Sequence, residues 1–286
     1  MDFKGILIPI GGNEDKGADD SQVNPMVFVR KGILSRVVQE SGGSTAKIVV
    51  ITTASQIPEE VGENYTRAFT KLGCQNIQIL DIRDRAQAET PETIQHIREA
   101  DCVMFSGGDQ SRIVHILGNS TIHQILLDRY KNDPIVIAGT SAGAMAMSSE
   151  MISGGSSTEA LYKDSVNMRE GMGFLPELII DSHFNRRGRF GRLAEAVAMH
   201  PHLLGVGLSE DTGMIIRNQN EAKVIGSGMI IIFDPGNLTH NNAKILPTGT
   251  PMTMANLTVH VLAKSDSFSI KTRQVTALPI ESEFEE

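Results

Sequence analysis

The sequence predicts an α/β fold built on a doubly wound, mostly parallel sheet. Short, continuous runs of β-branched residues recur along the chain, and stretches with helical periodicity separate them. Runs that do not alternate with polar residues are typical of strands covered on both faces, as in a parallel sheet. Strand and helix in steady alternation favour the same architecture. The first five predicted strands lie at residues 5–10, 47–52, 77–80, 102–105 and 134–138.

Helical patterns occupy the segments between these runs. The second of them ends at Gly73, which is a C-cap signal. The predicted helices span residues 32–40, 59–72, 93–99 and 120–130.

The C-terminal part changes character and predicts a small antiparallel extension of the sheet. Three runs there indicate strands with little helix between them, at residues 228–234, 257–262 and 268–272. No linker or repeat divides the chain, so we expect one domain at 1–286, with a frayed acidic end at about 281–286.

Composition excludes several classes of protein. A net charge of −8 argues against a dedicated nucleic-acid surface. No apolar run approaches the roughly 20 residues that span a bilayer, and the first run lacks the basic start of a secretory signal. Two cysteines, Cys74 and Cys102, are too few for a disulfide framework or a zinc cage, and we expect both to be reduced. We therefore expect a cytoplasmic protein without a metal or organic cofactor.

The strongest local signal is the G-x-S-x-G sequence at residues 139–143, directly after the run that ends at Ala138. A strand-to-helix junction of this kind is typical of a nucleophile elbow, which exposes the Ser141 hydroxyl above the sheet edge. The N–H of Ala142 would then face the oxygen of an attacked carbonyl. A glycine-rich turn with a capping serine is the alternative interpretation, and a phosphate loop is disfavoured because no Gly-Lys-Ser/Thr follows.

A nucleophilic serine needs a base and a carboxylate that orients it. His183 follows a predicted strand at 178–180, and strand ends of a parallel sheet are where active sites gather. Glu210 and Asp211 follow another apolar run, and adjacent strand residues face opposite sides, so only one of them can serve.

Two further segments complete the candidate site. The loop at 105–110 contains Gly107 and Gly108, whose N–H groups are candidates for a second oxyanion donor. The arginine segment, residues 186–192, contains four arginines in seven residues directly after His183. A solvated basic helix start is one interpretation, but the neighbouring base favours recognition of a carboxylate.

Together these motifs resemble cyanophycinase, a serine-type exopeptidase of the wider aspartyl dipeptidase group. Their order and intervals agree jointly, and the resemblance runs from Gly11 at least to Leu262. The motifs lie at residues 106–110 (SGGDQ), 139–144 (GTSAGA), 181–184 (DSHF), 187–193 (RGRFGRL) and 207–212 (GLSEDT).

The resemblance implies a fold like that of class I glutamine amidotransferases. It also implies hydrolysis of cyanophycin, a poly-aspartate that carries arginine on each side-chain carboxyl, to β-Asp-Arg dipeptides. By position it implies Ser141 as nucleophile, His183 as base and Glu210 as acid, with Ala142 and Gly108 as oxyanion donors. The substrate-contact positions are Gln110, Asp181, Ser182, Arg187, Arg189 and Arg192. We expect a homodimer.

One departure from the family pattern bears on the substrate. The family has glutamine before the histidine, whereas this chain has Ser182, so an amide contact near the scissile bond is lost. A related peptidase acting on another acidic or isoaspartyl peptide is therefore an alternative. A non-catalytic binding protein on the same scaffold is disfavoured, because it would not need Ser141, His183 and Glu210 together.

Overall fold

The buried runs of the N-terminal half form five parallel strands of a central sheet. The structure, a computed structural model, describes residues 2–17, 32–157 and 159–277. The five strands are β1 (Ile6–Ile10), β2 (Lys47–Ile51), β3 (Asn76–Leu80), β4 (Cys102–Phe105) and β5 (Val136–Thr140). They lie in the order β1-β5-β4-β2-β3, and every neighbouring pair is parallel, which confirms the predicted fold class.

Helices cover both faces of this sheet. The helices α1 (Ile33–Glu40) and α2 (Pro58–Lys71) pack on one face, and on the other lie α3 (Arg85–Ala88), α4 (Pro91–Glu99), α5 (Gln110–Leu117) and α6 (Thr121–Asn132). Successive strand residues point to opposite faces, so Val49 belongs to one apolar core and Val50 to the other. The four predicted helices are confirmed to within two residues at each end. The helix predicted after Ser141 is only one turn, α7 (Ala142–Met145).

Antiparallel strands extend the central sheet beyond β1. The added strands are, in spatial order, β10 (Thr212–Arg217), β11 (Glu221–Gly226), β16 (Ser267–Ser269) and β17 (Gln274–Thr276). They bring the sheet to nine strands among the residues described. The predicted extension is therefore present, although it begins at residue 212.

Two of the C-terminal runs belong instead to a second, four-stranded sheet. Its strands are β8 (Leu178–Asp181), β9 (Leu204–Leu208), β12 (Ile230–Asp234) and β15 (Thr258–Leu262), in the order β15-β12-β9-β8. β8 and β9 are parallel, and the other two pairs are antiparallel. His183 therefore follows a strand of this second sheet rather than of the central one. Every residue of β12 is buried, because β12 lies between two partner strands, a position the run itself does not reveal.

Two hairpins complete the described fold: β6 (Glu150–Gly155) with β7 (Val166–Glu170), and β13 (His240–Asn241) with β14 (Met254–Ala255). No helix in the described ranges is long and apolar enough to cross a membrane. The acidic end at about 281–286 lies outside the described residues.

Candidate active site

Ser141 stands on a strained turn between β5 and α7. Its backbone has φ 50° and ψ −107°, a conformation that costs a non-glycine residue energy and that the surrounding structure must enforce. The flanking glycines permit the turn, because a Cβ on Gly143 would lie 2.4 Å from the carbonyl oxygen of Phe105. The Ser141 N–H donates to the carbonyl oxygen of Ile10 at the end of β1, 2.8 Å away. The turn is thus fixed to the centre of the sheet.

A continuous hydrogen-bonded chain links the serine, the histidine and the glutamate. The Nε2 atom of His183 lies 3.0 Å from the Oγ atom of Ser141. The Nδ1 atom lies 2.9 Å from Oε1 of Glu210. His183 is 9% exposed and has φ 48°, so its ring is held within the protein at a strained backbone position. Side chains from the central sheet, the second sheet and the turn before β10 therefore meet at one point.

The two adjacent carboxylates have separate roles in this geometry. Glu210 also accepts from Nη1 of Arg186 at 3.0 Å and from Nδ2 of Asn13 at 2.9 Å. Burial acts to raise the pKa of Glu210, but the hydrogen bonds from His183, Arg186 and Asn13 outweigh it and leave that pKa below its ordinary value. Asp211 instead accepts from Ser227 and from the Asp15 N–H. Only Glu210 reaches the histidine.

The β1 loop, residues 11–14, contacts both the histidine and the glutamate of the hydrogen-bonded chain. The carbonyl oxygen of Gly11 accepts from the His183 N–H at 2.8 Å. Gly12, at φ +110°, lies directly against the imidazole, where a Cβ would be 2.4 Å from Cε1. Sequence reasoning missed Asn13 and the role of Gly12. The Gly11–Gly12 pair at the end of a buried strand was the available signal.

Glu14, the last residue of the β1 loop, binds the residue that precedes Ser141. Glu14 is 4% exposed and accepts from Oγ1 of Thr140 at 2.5 Å and from the Tyr65 hydroxyl at 2.6 Å. Nζ of Lys16 lies 2.8 Å from the same carboxylate. Burial acts to raise the pKa of Glu14, but the Lys16 charge and these hydrogen bonds leave it below its ordinary value. A buried carboxylate thus fastens the residue that precedes Ser141, and the sequence carried no signal for it.

The two candidate oxyanion donors, Ala142 and Gly108, lie on α7 and on the loop before α5. Ala142 is the first residue of α7, so its N–H has no acceptor within the helix. Gly107 approaches from the next loop, where a Cβ would lie 3.6 Å from Cβ of Ser141. Gly108 has φ +143°, and any side chain there would lie 2.1 Å from the carbonyl oxygen of Ala54. Asp109 caps α5 by accepting from the Ser111 N–H.

The predicted substrate contacts divide into buried and exposed groups. Asp181 is 0% exposed. Its carboxylate accepts hydrogen bonds from Arg189 at 3.0 Å, from Arg192 at 2.8 Å and from the Ser182 N–H. Arg192 is 5% exposed. Neither Asp181 nor Arg192 presents a surface to a substrate in this geometry. Because Asp181 pairs with Arg189 and Arg192, an acidic side chain of the protein itself offsets part of the charge of the arginine segment.

The remaining predicted contacts lie closer to the nucleophile or to solvent. Arg187 is exposed. The Oγ atom of Ser182 lies 3.5 Å from Oγ of Ser141 and 3.3 Å from Sδ of Met145. Gln110 is engaged within the protein, since its Nε2 donates to the carbonyl oxygen of Ile152 at 2.9 Å. In the described part of the chain, no three His, Cys, Asp or Glu side chains are grouped to hold a metal ion.

A serine that is hydrogen-bonded to a histidine on a strained turn of an α/β sheet is the arrangement typical of the serine hydrolases. Comparison with known proteins gives the family. The chain belongs to peptidase family S51, whose model matches residues 29–224, and it is a serine peptidase.

Relatives of known family agree with this assignment, and a solved structure shares the fold. The chain is 37% identical over 272 residues to a cyanophycinase of Trichormus variabilis, covering 95% of this chain and 88% of the relative. It is 34% identical over 275 residues to a cyanophycinase of Geminocystis herdmanii, covering 96% and 97%. The crystal structure of a peptidase from an acI-B1 actinobacterium superposes with a TM-score of 0.63 at 19% identity, covering 93% of this chain and 96% of that one. That likeness concerns the fold alone.

Proposed function

We propose that this serine peptidase hydrolyses cyanophycin and releases β-Asp-Arg dipeptides through an acyl-enzyme formed on Ser141. Identity of 34% or more to proteins named cyanophycinase, over at least 95% of the chain, supports the substrate. The observation that carries the chemistry is the hydrogen-bonded chain from Ser141 through His183 to Glu210, with links of 3.0 and 2.9 Å. That chain supplies a nucleophile, a base and a carboxylate that orients the base.

In this mechanism His183 takes the Ser141 proton on Nε2 while the serine oxygen attacks the substrate carbonyl. Glu210 holds Nδ1–H and stabilises the imidazolium that forms. The N–H groups of Ala142 and Gly108 stabilise the oxyanion. His183 then gives its proton to the leaving amine as the C–N bond breaks. Water attacks the acyl-enzyme, again with His183 as base, and the serine regains its proton.

The test is release of dipeptide from insoluble cyanophycin granules by the purified protein. We expect Ser141→Ala to lose on the order of 10⁶-fold in kcat, with an unchanged circular dichroism spectrum. A fluorophosphonate probe followed by peptide mapping separates the two neighbouring hydroxyls. Labelling of Ser141 is expected. Labelling of Ser182, or activity near wild type in Ser141→Ala, would contradict the proposal.

Ser182 favours a second candidate, a peptidase that acts on another acidic or isoaspartyl peptide. Its hydroxyl cannot make the amide contact that the family's glutamine makes, and it lies against Met145. The ratio of kcat/KM for cyanophycin to kcat/KM for isoaspartyl dipeptides decides between the two. A Ser182→Gln variant sharpens the test, because it should raise that ratio only if the missing amide sets the preference.

The homodimer, the single domain at 1–286 and the cytoplasmic location stay predictions. Light scattering on the purified chain measures the first of these directly. A monomer at the concentration of the activity assay would remove the dimer from the proposal.

A further inference from the structure

A polar cavity of about 650 Å³ lies between the β6–β7 hairpin and the first turn of α5. Ser111 contributes to it from the helix, and Ser153 and Asn167 contribute from the two strands of the hairpin. Two charged residues, Asp164 and Arg169, also line it. Neither the hydrogen-bonded chain of the active site nor the arginine segment forms any part of this wall. The cavity is thus a separate feature of the surface that the proposed chemistry leaves unused.

The cavity wall is close in sequence to the loop that lies against the nucleophile. Gly107 lies against Ser141, and Ser111 follows four residues later. At 3.8 Å between consecutive Cα atoms, the cavity wall begins no more than about 15 Å beyond that glycine. The side chain of Gln110 ties the two walls together, since its Nε2 donates to the Ile152 carbonyl oxygen on β6. The cavity therefore lies within reach of a polymer that extends from Ser141 along the 107–110 loop.

The charges in the cavity are accessible and of opposite sign. Arg169 is exposed, and its guanidinium has no ion pair or hydrogen bond among the residues described. The Asp164 side chain is 46% exposed and is steadied by Lys163 and Thr248. A hydrogen bond from Thr248, and then one from Lys163, hold the pKa of Asp164 below its ordinary value. An unpaired cation and an ionised carboxylate thus share one wall.

We propose that this cavity binds a further repeat unit of the polymer substrate beyond the unit that is cleaved. Arg169 pairs with the free α-carboxylate of the repeat, and Asp164 with its guanidinium. The inference rests on the proposed function, because each repeat of an arginine-bearing poly-aspartate carries one group of each sign. Arg binds carboxylates through two parallel hydrogen bonds, which suits an exposed guanidinium without a partner. The site therefore favours long chains over short ones.

The test measures kcat/KM on two substrates, an oligomer of two repeats and one of about ten repeats. We expect the wild-type protein to prefer the longer oligomer. Arg169→Glu should lower that preference by about fivefold, because an exposed charge pair contributes up to about 1 kcal/mol and the reversed charge repels the carboxylate. The preference should also weaken as salt rises, since exposed charges are screened. Arg67→Glu on α2 is the matched control, because it makes the same charge change on a helix packed against the far edge strand β3.

The outcomes separate the two proposals. If both oligomers are cleaved and Arg169→Glu keeps the same length preference as Arg67→Glu, the subsite is overturned and the proposed function stands. If wild type cleaves neither oligomer, the proposed function fails and the subsite fails with it. A length preference that falls in Arg169→Glu alone, and that salt reduces in wild type, supports the subsite.

Discussion

The β1 loop and the arginine segment both lie beside the hydrogen-bonded chain, but they serve it in opposite ways. The β1 loop carries one charge and contacts His183 through Gly12, Glu210 through Asn13 and, through Glu14, Thr140, the residue before Ser141. The arginine segment carries four guanidinium groups, of which Arg189 and Arg192 turn inward to Asp181. Its direct contribution to the chain is the Arg186–Glu210 pair.

The difference teaches that charge density in a sequence is a poor guide to substrate contact. A charge buried without a partner is costly, and Asp181 takes two arginines as partners. Small residues at a strand end, in contrast, allow backbone and catalytic side chains to approach closely. Four measurements test this comparison, from the largest expected effect to the smallest.

Glu210→Gln should lower kcat about 10⁴-fold, as losing the orienting carboxylate does in other serine hydrolases. Asp211→Asn is its matched control, and its kcat should stay within about tenfold of wild type, because Asp211 bonds to Ser227 and Asp15 rather than to the histidine. Steady-state kinetics on the same substrate measure both. A larger loss in Asp211→Asn would show that the two carboxylates have been assigned in the wrong order.

Arg192→Ala should destabilise the fold by about 3–5 kcal/mol, because it removes one partner of a buried ion pair and leaves Asp181 short of charge. Arg187→Ala makes the same change at an exposed position and should alter the free energy of unfolding by less than about 0.5 kcal/mol. Urea denaturation measures both values. Equal stabilities for the two variants would show that Arg192 is not a buried ion-pair partner, and it would again be a candidate substrate contact.

Gly12→Ala should reduce kcat about 10²-fold, the loss expected when a catalytic group is displaced by about 1 Å. The added Cβ would lie 2.4 Å from the imidazole at a backbone φ of +110°, so the ring must move. Gly42→Ala is the control, since its φ is +99° but no atom lies within 4 Å of its Cβ. If both variants lose activity alike, backbone strain rather than the His183 contact is responsible.

Glu14→Gln should destabilise the protein by about 1–3 kcal/mol at neutral pH, because it weakens charge-assisted hydrogen bonds to a buried group. The folded-state pKa of Glu14 is lowered, so its contribution is complete above the ordinary value of 4.5 and is lost as pH falls through the folded-state pKa. Melting curves of wild type and Glu14→Gln between about pH 7 and pH 3 measure this. The difference in stability between the two proteins should become smaller as the pH falls. A difference that stays constant or grows on acidification contradicts an ionised Glu14.

Local sequence carried much of the fold and the most specific part of the site. Continuous β-branched runs predicted β1, β2, β4 and β5, because burial on both faces removes polar alternation. The elbow at Ser141 was predictable because its strain demands glycine at fixed positions. The choice of Glu210 over Asp211 came from family resemblance, since alternation said only that one of the two faces the site.

Three features depended on contacts between distant segments. The sequence predicted β8 as a strand of the parallel sheet and β12 as part of its antiparallel extension, and only their pairing partners assign them to a second sheet. Asp181 and Arg192 are eleven residues apart, and both are buried because α8 (Phe190–Met199), which carries Arg192, packs against β8 and β9. Glu14 and Thr140 are 126 residues apart, and nothing near either residue indicates the other.

The sequence by itself determined the alternation of strands and helices, the strained serine turn and the family, because each is written in residues that are neighbours along the chain. The tertiary structure decided which arginines are available, which carboxylate is buried and which loop supports the histidine. Those outcomes depend on the free energy of burying a charge with or without a partner, and the partner is supplied by whichever segment the fold brings alongside.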